Sequence, residues 1–128
     1  MTVHAPATPG LREIGQIAVT VKNLPKAIDF YRNTLGLPFL FEAPNLAFFQ
    51  CGTIMLMLSP PETPEFDHPA SVLYFDVANI EGAWNSLRGR GVRFRDEPHV
   101  IHRTPDKTLW MTFFDDSEGN VLALRQWK

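Results

Sequence analysis

The sequence predicts an α+β fold made of two consecutive βαβββ units. The same order of signals, a strand followed by a helix and three further strands, occurs twice along the chain. Equivalent positions recur at a constant distance, because Val21 and Val77 lie 56 residues apart and so do the helix-capping residues Asn23 and Asn79. A generic α+β domain with accidental similarity is the alternative, but it does not account for the matched caps.

The first unit opens with a strand over residues 14–21, where apolar and polar residues alternate with the two-residue period of a half-buried strand. Asn23 is expected to cap the following helix, with Pro25 in the first turn and Gly36 at the end. Three short strands are then expected, over residues 38–42, 46–50 and 54–58.

The second unit repeats this order, with a strand over residues 72–77 and a helix from the Asn79 cap to Gly91. Further strands are expected over residues 92–94, 110–114 and 121–124, with residues 99–108 as a long loop. The acids of residues 115–120 stand beside Gly119 in a tight hairpin, so they are interpreted as turn formers rather than as a catalytic cluster.

The length of 128 residues predicts one domain that can bury a proper core. We divide the chain into a loose N-terminal tail over residues 1–10 and a single domain over residues 11–128. Within that domain, module one covers residues 11–58 and module two covers residues 71–127. The linker over residues 59–70 contains the stretch SPPETPEFDHP, whose prolines cannot continue the interior of a sheet.

Composition excludes several classes of function. Hydrophobic residues make up 45% and charged residues 20%, and the net charge is −2, so we expect no nucleic-acid partner. No apolar run approaches the length of a membrane span, and we expect no membrane partner. Cys51 is the one cysteine, which rules out an intrachain disulfide and predicts a cytoplasmic location. We interpret Cys51 as a packing residue rather than as a nucleophile.

Two motifs, IAVTVKNLPKAIDFYRNTLGL and FFDDSEGNVLAL, extend the doubled βαβββ pattern. With them the chain resembles the vicinal oxygen chelate superfamily, the group of glyoxalase I, extradiol dioxygenases, fosfomycin-resistance enzymes and bleomycin-binding proteins. The resemblance covers residues 11–127 and implies two tandem βαβββ modules that form a cupped mixed sheet around a cleft. It is specific to the fold and not to one activity.

The resemblance also implies where metal ligands would stand in metalloenzymes of the group. Gln16 occupies the first of these positions and is compatible with a ligand. Val72, Leu56 and Ala123 occupy the other three, where the family uses residues such as His and Glu. A single neutral amide does not hold a divalent ion, so we expect no metal and no other cofactor.

The two-residue strand period predicts that Ala18, Leu58, Tyr74 and Arg125 also face the cleft, each two residues beyond one of the four metal positions. The cleft would then be mostly apolar with a few polar groups, as in a small-molecule pocket. The alternative is a cleft filled by its own side chains. Tyr74 could donate a proton or anchor a ligand, and Arg125 could pair an anionic group or reach solvent.

His99 and His102 are further candidates, because imidazole titrates near neutral pH. Three residues apart in an extended segment they would face opposite sides, so we expect at most one at the cleft, bordered by Trp110. Two structural or surface histidines are the alternative. If the protein is an enzyme, the candidate catalytic residues are Gln16, Tyr74, His99 and His102.

Together these observations predict a glyoxalase- or bleomycin-resistance-like protein that binds a small, largely apolar organic molecule without the usual metal. The alternative is a lyase, isomerase or dioxygenase of the same superfamily with a non-standard or metal-free site. A domain without a ligand is a third possibility. The resemblance implies a homodimer, for which exposed edge strands are suited.

Overall fold

The computed structural model describes residues 9–61, 64, 67 and 69–128. Most of the predicted tail and part of the predicted linker, residues 1–8, 62, 63, 65, 66 and 68, lie outside the described residues. The elements are β1 (Gln16–Thr20), α1 (Leu24–Asp29), β2 (Phe39–Ala43), β3 (Leu46–Cys51), β4 (Ile54–Ser59), β5 (Leu73–Asp76), α2 (Ile80–Gly89), β6 (His99–Arg103), β7 (Thr108–Asp115) and β8 (Val121–Trp127).

The strands form two four-stranded mixed sheets with the same topology. Sheet one has the order β1-β4-β3-β2, and sheet two has the order β5-β8-β7-β6. In each sheet the first strand of the module pairs in parallel with the last, and the other pairs are antiparallel. The predicted α+β fold of two βαβββ modules is therefore confirmed.

Both predicted helix caps are present. The Asn23 side chain accepts a hydrogen bond from the Lys26 N–H at 3.2 Å, and the Asn79 side chain accepts one from the Gly82 N–H at 3.0 Å. Helix α1 continues directly into a π-helical segment, Phe30–Thr34. These caps start both helices where the sequence predicted them.

The core is shared between the modules and lies between the helices and one face of each sheet. Its largest fully buried side chains include Tyr31, Phe49, Leu58, Ile80, Phe114 and Leu122. The turn between β7 and β8 also joins the modules, because the Tyr31 hydroxyl donates to the buried Asp116 carboxylate at 2.7 Å. The Glu118 carboxylate accepts from the backbone N–H groups of Lys22 and Asn23 at the start of α1.

One predicted strand is wrong, and one strand was missed. Residues 92–94 form no strand, since only Phe94 makes an isolated bridge to Phe114. The third strand of module two is β6, which lies inside the predicted loop and pairs with β7. Because β6 has polar residues at both ends, its hydrophobic pattern does not indicate a strand. Among the described residues, no helix is long and apolar enough to cross a membrane.

Candidate ligand-binding site

Each sheet has one face against the core and one face without helices, which we call the open face. Strand β1 illustrates the division, because Val19 is 1% exposed in the core whereas its neighbour Ala18 is exposed. Residues directly paired across strands share a face, so the register identifies the rest. The open face of sheet one carries Gln16, Ala18, Phe41, Phe48, Gln50, Met55 and Met57.

An apolar row crosses the open face of sheet one. Ala18 pairs with Met57, Met57 with Phe48, and Phe48 with Phe41. The Phe41 and Phe48 rings lie 4.8 Å apart between centroids, and Phe41 is 49% exposed. The Gln16 amide lies beside this row, with Nε2 3.7 Å from the Met57 sulfur. The row presents aromatic and flexible thioether groups to solvent, a surface that adapts to apolar ligands.

Leu56 and Leu58 do not face the cleft, which corrects the prediction for both. Leu56 is 2% and Leu58 is 0% exposed, and both belong to the core. Met55 and Met57 occupy the open face of β4 instead. A one-residue difference in register moves every side chain of a strand to the other face.

The open face of sheet two carries Tyr74, Asp76, Met111, Phe113, Ala123, Arg125 and Trp127. Val72 directly precedes β5, is 39% exposed, and falls on the same face by the two-residue period. A row of three polar side chains and one methionine crosses this face, in which Asp76 pairs with Arg125, Arg125 with Met111, and Met111 with His99. The Arg125 guanidinium donates from Nε to the Asp76 carboxylate at 2.6 Å. Arg125 therefore lies on the expected face but already has an acidic partner.

Ala123 lies beneath two aromatic rings. Tyr74 on β5 and Phe113 on β7 both pair directly with Ala123, one on each side. Their rings meet edge to face, with centroids 6.0 Å apart and an interplanar angle of 83°. Ala123 is 0% exposed, whereas Tyr74 is 48% exposed. The predicted cleft position at Ala123 is thus covered, and the Tyr74 ring forms the surface above it.

His99 and His102 lie on the same face of sheet two, contrary to the prediction that they would face opposite sides. His99 pairs with Met111 and His102 with Leu109, two residues of β7 on one face. The register shifts between Val100 and His102, so β6 contains a bulge with one extra residue. This extra residue turns the three-residue spacing of the histidines into an even number of paired positions, which places both on one face. The odd spacing therefore does not separate the two imidazoles.

The two histidines differ in their surroundings. His99 Nδ1 lies 2.8 Å from the Glu97 carbonyl oxygen and 3.9 Å from the Asp96 carboxylate, while His102 is exposed. The Glu97 contact favours a proton on His99 Nδ1, which leaves Nε2 as the acceptor in the neutral ring. Both imidazoles are available at the open face.

Trp110 does not border the open face, which corrects a further prediction. It pairs with Val100 and Gln126 on the other face of β7 and packs against the core. Lys128 Nζ lies 4.7 Å from its ring centroid. The tryptophan on the open face is Trp127, which the sequence reasoning missed; its place two residues after Arg125 in the same strand is the signal that could have identified it.

The positions where the family carries metal ligands do not fit a divalent ion here. Gln16 supplies one neutral donor, Val72 supplies none, and the position of Ala123 is closed by the rings above it. Among the described residues, no three His, Cys, Asp or Glu side chains come together in a way that could hold a metal ion. Divalent ions need several oxygen, nitrogen or sulfur donors.

A groove of about 660 Å³ lies between the modules, and we call it the inter-module groove. Of the predicted site residues only Tyr74 lines it, together with residues such as Leu35, Cys51, Ile54, Asp76, Leu87 and Arg90. Burial raises the pKa of the Cys51 thiol, which disfavours the nucleophilic thiolate form. This agrees with the interpretation of Cys51 as a packing residue.

Residues 13–124 match the family model described as Glyoxalase/Bleomycin resistance protein/Dioxygenase superfamily. The chain belongs to this superfamily. A metallothiol transferase FosB of Staphylococcus haemolyticus is 26% identical, with 89% of this chain and 83% of that protein covered. The resemblance inferred from the two motifs is thereby confirmed.

Solved structures show the same superfamily fold. A member of the superfamily from Sphaerobacter thermophilus is 25% identical with a TM-score of 0.76, covering 91% of this chain and 98% of that chain. TnmS3, described as an antibiotic binding protein from Streptomyces sp. CB03234, is 23% identical with a TM-score of 0.77, covering 94% of this chain and 100% of that chain.

Proposed function

We propose that this protein binds a small, largely apolar organic molecule on its open faces, without the metal that other members of the superfamily use. The observation that carries the proposal is the apolar row of Ala18, Met57, Phe48 and Phe41 on the open face of sheet one, in which Ala18 and Phe41 are exposed and the other two are half-buried. Contiguous apolar surface on a soluble protein marks a binding site. The Gln16 amide beside the row supplies a polar group that can orient the ligand.

The relatives support the class of ligand. The name of TnmS3 describes an antibiotic binding protein, and that of FosB a metallothiol transferase, so both concern small molecules. We carry over to this chain only the binding of a small organic molecule. The metal-free character rests on the closed position at Ala123 and the missing donors at Val72.

We further propose that a second copy of the chain completes the site. Strands β2 and β6 lie at the sheet edges opposite β1 and β5. Each carries a bulge, in β2 between Phe39 and Phe41 and in β6 between Val100 and His102. Bulges blunt a sheet edge against further pairing. In the described chain β5 lies at the edge of sheet two and pairs with β8 in a regular register, which suits a homodimer. The half-buried single cysteine agrees with a cytoplasmic location.

A thermal-shift screen tests ligand binding, because a compound that binds only the folded state raises the melting temperature. The screen contains aromatic antibiotics, thiol adducts of α-keto aldehydes, and catechols. We expect at least one class to stabilise the protein, and Ala18→Trp to abolish that shift by covering the apolar row. Asn85→Trp, at an exposed position on α2, is the control and retains it. A shift that survives Ala18→Trp contradicts this site.

Metal analysis of protein purified without added metal tests the second part of the proposal. We expect less than stoichiometric Zn, Ni, Mn and Fe. A stoichiometric, tightly held ion would contradict the metal-free site. It would favour a lyase, isomerase or dioxygenase over a metal-free binding protein.

The enzyme alternative, a lyase, isomerase or dioxygenase, has one observation in its favour. The bulge in β6 gives His99 and His102 the same face as Tyr74, so acid–base groups stand at the open face. Turnover of any screened compound that is lost in both His99→Ala and His102→Ala would favour catalysis. Binding without turnover favours the first proposal.

A further inference from the structure

One stripe of helix α2 lines the inter-module groove. Ala83, Ser86, Leu87 and the C-cap residue Arg90 contribute to it at three- and four-residue spacing, which places side chains on one side of a helix. Ala83 and Leu87 are half-buried and pack against the core, whereas Ser86 and Arg90 are exposed. The stripe therefore combines two apolar side chains with a hydroxyl and a cation.

The other walls of the groove are mainly aliphatic. Leu35 and Leu37, which follow the π-helical segment, are half-buried and line the groove from module one, together with Ile54 of β4. The floor is the core face of sheet two, where Phe75 pairs with Leu124. A groove of about 660 Å³ between apolar side chains has the size and the lining of a small-molecule site.

Arg90 is held at this groove and has no acidic partner among the described residues. Its Nη1 donates to the Thr34 carbonyl at 3.1 Å and to the Asn33 carbonyl at 3.4 Å, at the end of the helical segment of module one. These bonds position the guanidinium between the two modules. They leave the edge formed by Nε and Nη2 without a partner in the described part of the chain.

Two other arginines of this protein show what such an edge binds. Arg95 donates from Nε and Nη2 to the Asp115 carboxylate at 3.0 and 2.7 Å. Arg125 donates from the same two atoms to the Asp76 carboxylate at 2.6 and 3.5 Å. The two N–H groups of this edge match the geometry of a carboxylate. The same edge of Arg90 is therefore suited to the carboxylate of a ligand.

The charges around Arg90 favour an anion in the groove. Among the described residues that line it, Asp76 is the one acid, and its carboxylate already pairs with Arg125. Asp76 follows Phe75 in β5, so its side chain points to the face of sheet two away from the core and from α2. The Ser86 hydroxyl, one helical turn before Arg90, adds a further donor.

We propose that the inter-module groove is a second binding site, which takes an aliphatic carboxylate. The Arg90 guanidinium and the Ser86 hydroxyl bind the carboxylate, and the hydrocarbon chain packs against Leu87 and the aliphatic walls. The site is separate from the apolar row on the open face of sheet one, because no residue of that row lines the groove. It adds a charged, aliphatic ligand to the ligand proposed for the open faces.

A titration of isotopically labelled protein with octanoate, followed by nuclear magnetic resonance, tests the location. We expect octanoate to shift the backbone amide signals of residues 83–90. These shifts should persist in Ala18→Trp protein and disappear in Ser86→Trp protein, in which the indole occupies the groove. Asn85→Trp is the matched control, because Asn85 is exposed beside Ser86 but does not line the groove. Shifts that survive Ser86→Trp, or that Ala18→Trp removes, would overturn the site.

A comparison of octanoate with octanol tests the contact with the carboxylate, because octanol has the same hydrocarbon chain without the charge. We expect Arg90→Gln to weaken octanoate binding by at least about tenfold in Kd and octanol binding by less than about twofold. Since Arg90 also donates to the Thr34 carbonyl, a general disturbance of the groove would weaken both ligands. Equal losses for the two ligands, or a parent protein that binds no octanoate, would overturn the proposal.

Discussion

The rings of Tyr74 and Phe113 meet edge to face above Ala123, the position at which metal-binding relatives carry glutamate. Position 123 is therefore unsuited to a metal for two reasons, because its alanine side chain has no donor atom and because the two rings cover it. The aromatic surface that replaces it faces the same side as the Asp76–Arg125 ion pair.

Ala123→Glu is therefore expected to destabilise the fold. The introduced carboxylate has no cationic partner beneath the two rings, and an uncompensated buried charge costs about 3–5 kcal/mol. Urea denaturation measures the loss. Ala18→Glu, at an exposed position of the other open face, is the control and should change stability by less than about 0.5 kcal/mol. Equal stability of both variants would show that Ala123 is not covered.

Metal binding should return only when donors are supplied and the cover is opened. The triple variant Val72→His, Ala123→Glu and Tyr74→Ala supplies an imidazole and a carboxylate at two of the family's ligand positions, with Gln16 at a third, and removes one ring. Titration calorimetry with Zn²⁺ is expected to detect binding to this protein and none to Tyr74→Ala alone. If the triple variant takes up no zinc at saturating metal, the assignment of the family's metal positions to this sequence is wrong.

The hydrogen bond from Tyr31 to Asp116 should contribute measurably to stability. Both groups are buried, and a hydrogen bond to a charged partner contributes about 1.5–3 kcal/mol. We expect Tyr31→Phe to lower the free energy of unfolding by that amount. Tyr74→Phe removes the other tyrosine hydroxyl, which has no hydrogen-bond partner among the described residues, and should cost less. A Tyr31→Phe protein as stable as the parent would contradict the role of this bond.

Local signals predicted most of the fold. The capping side chains of Asn23 and Asn79, the alternation in β1 and the turn over residues 115–120 each depend on neighbours in sequence, and each is present in the structure. The family and its doubled module followed from the same signals. The sequence does not determine the register between neighbouring strands, that is, which residue of one strand pairs with which residue of the next.

Two errors in the site follow from that. Aligning the hairpins by their glycines equated Leu56 with Ala123, but the first pair of one hairpin, Cys51 with Ile54, faces the core, whereas Asp115 with Val121 faces outward. The second error concerns the histidines of β6, because a bulge depends on pairing with β7 and leaves no mark in the spacing. Register comes from tertiary packing and turn geometry, and one residue reverses the face.

Tyr31 should also set the alkaline limit of stability. Burial, with the Asp116 carboxylate beside it, raises the pKa of the Tyr31 hydroxyl above its ordinary value. Its contribution to stability is therefore fully present below the pKa of an unfolded tyrosine, about 10, and is lost as pH rises beyond it.

In Tyr74→Phe protein Tyr31 is the one remaining tyrosine, since the chain has two. We expect phenolate absorbance and the loss of the folded circular dichroism signal to develop together as pH rises above about 10. In Tyr31→Phe protein the free energy of unfolding should fall less steeply as pH rises above about 10, because one proton fewer is released on unfolding. Phenolate absorbance that develops while the fold is intact would contradict the burial of this hydroxyl.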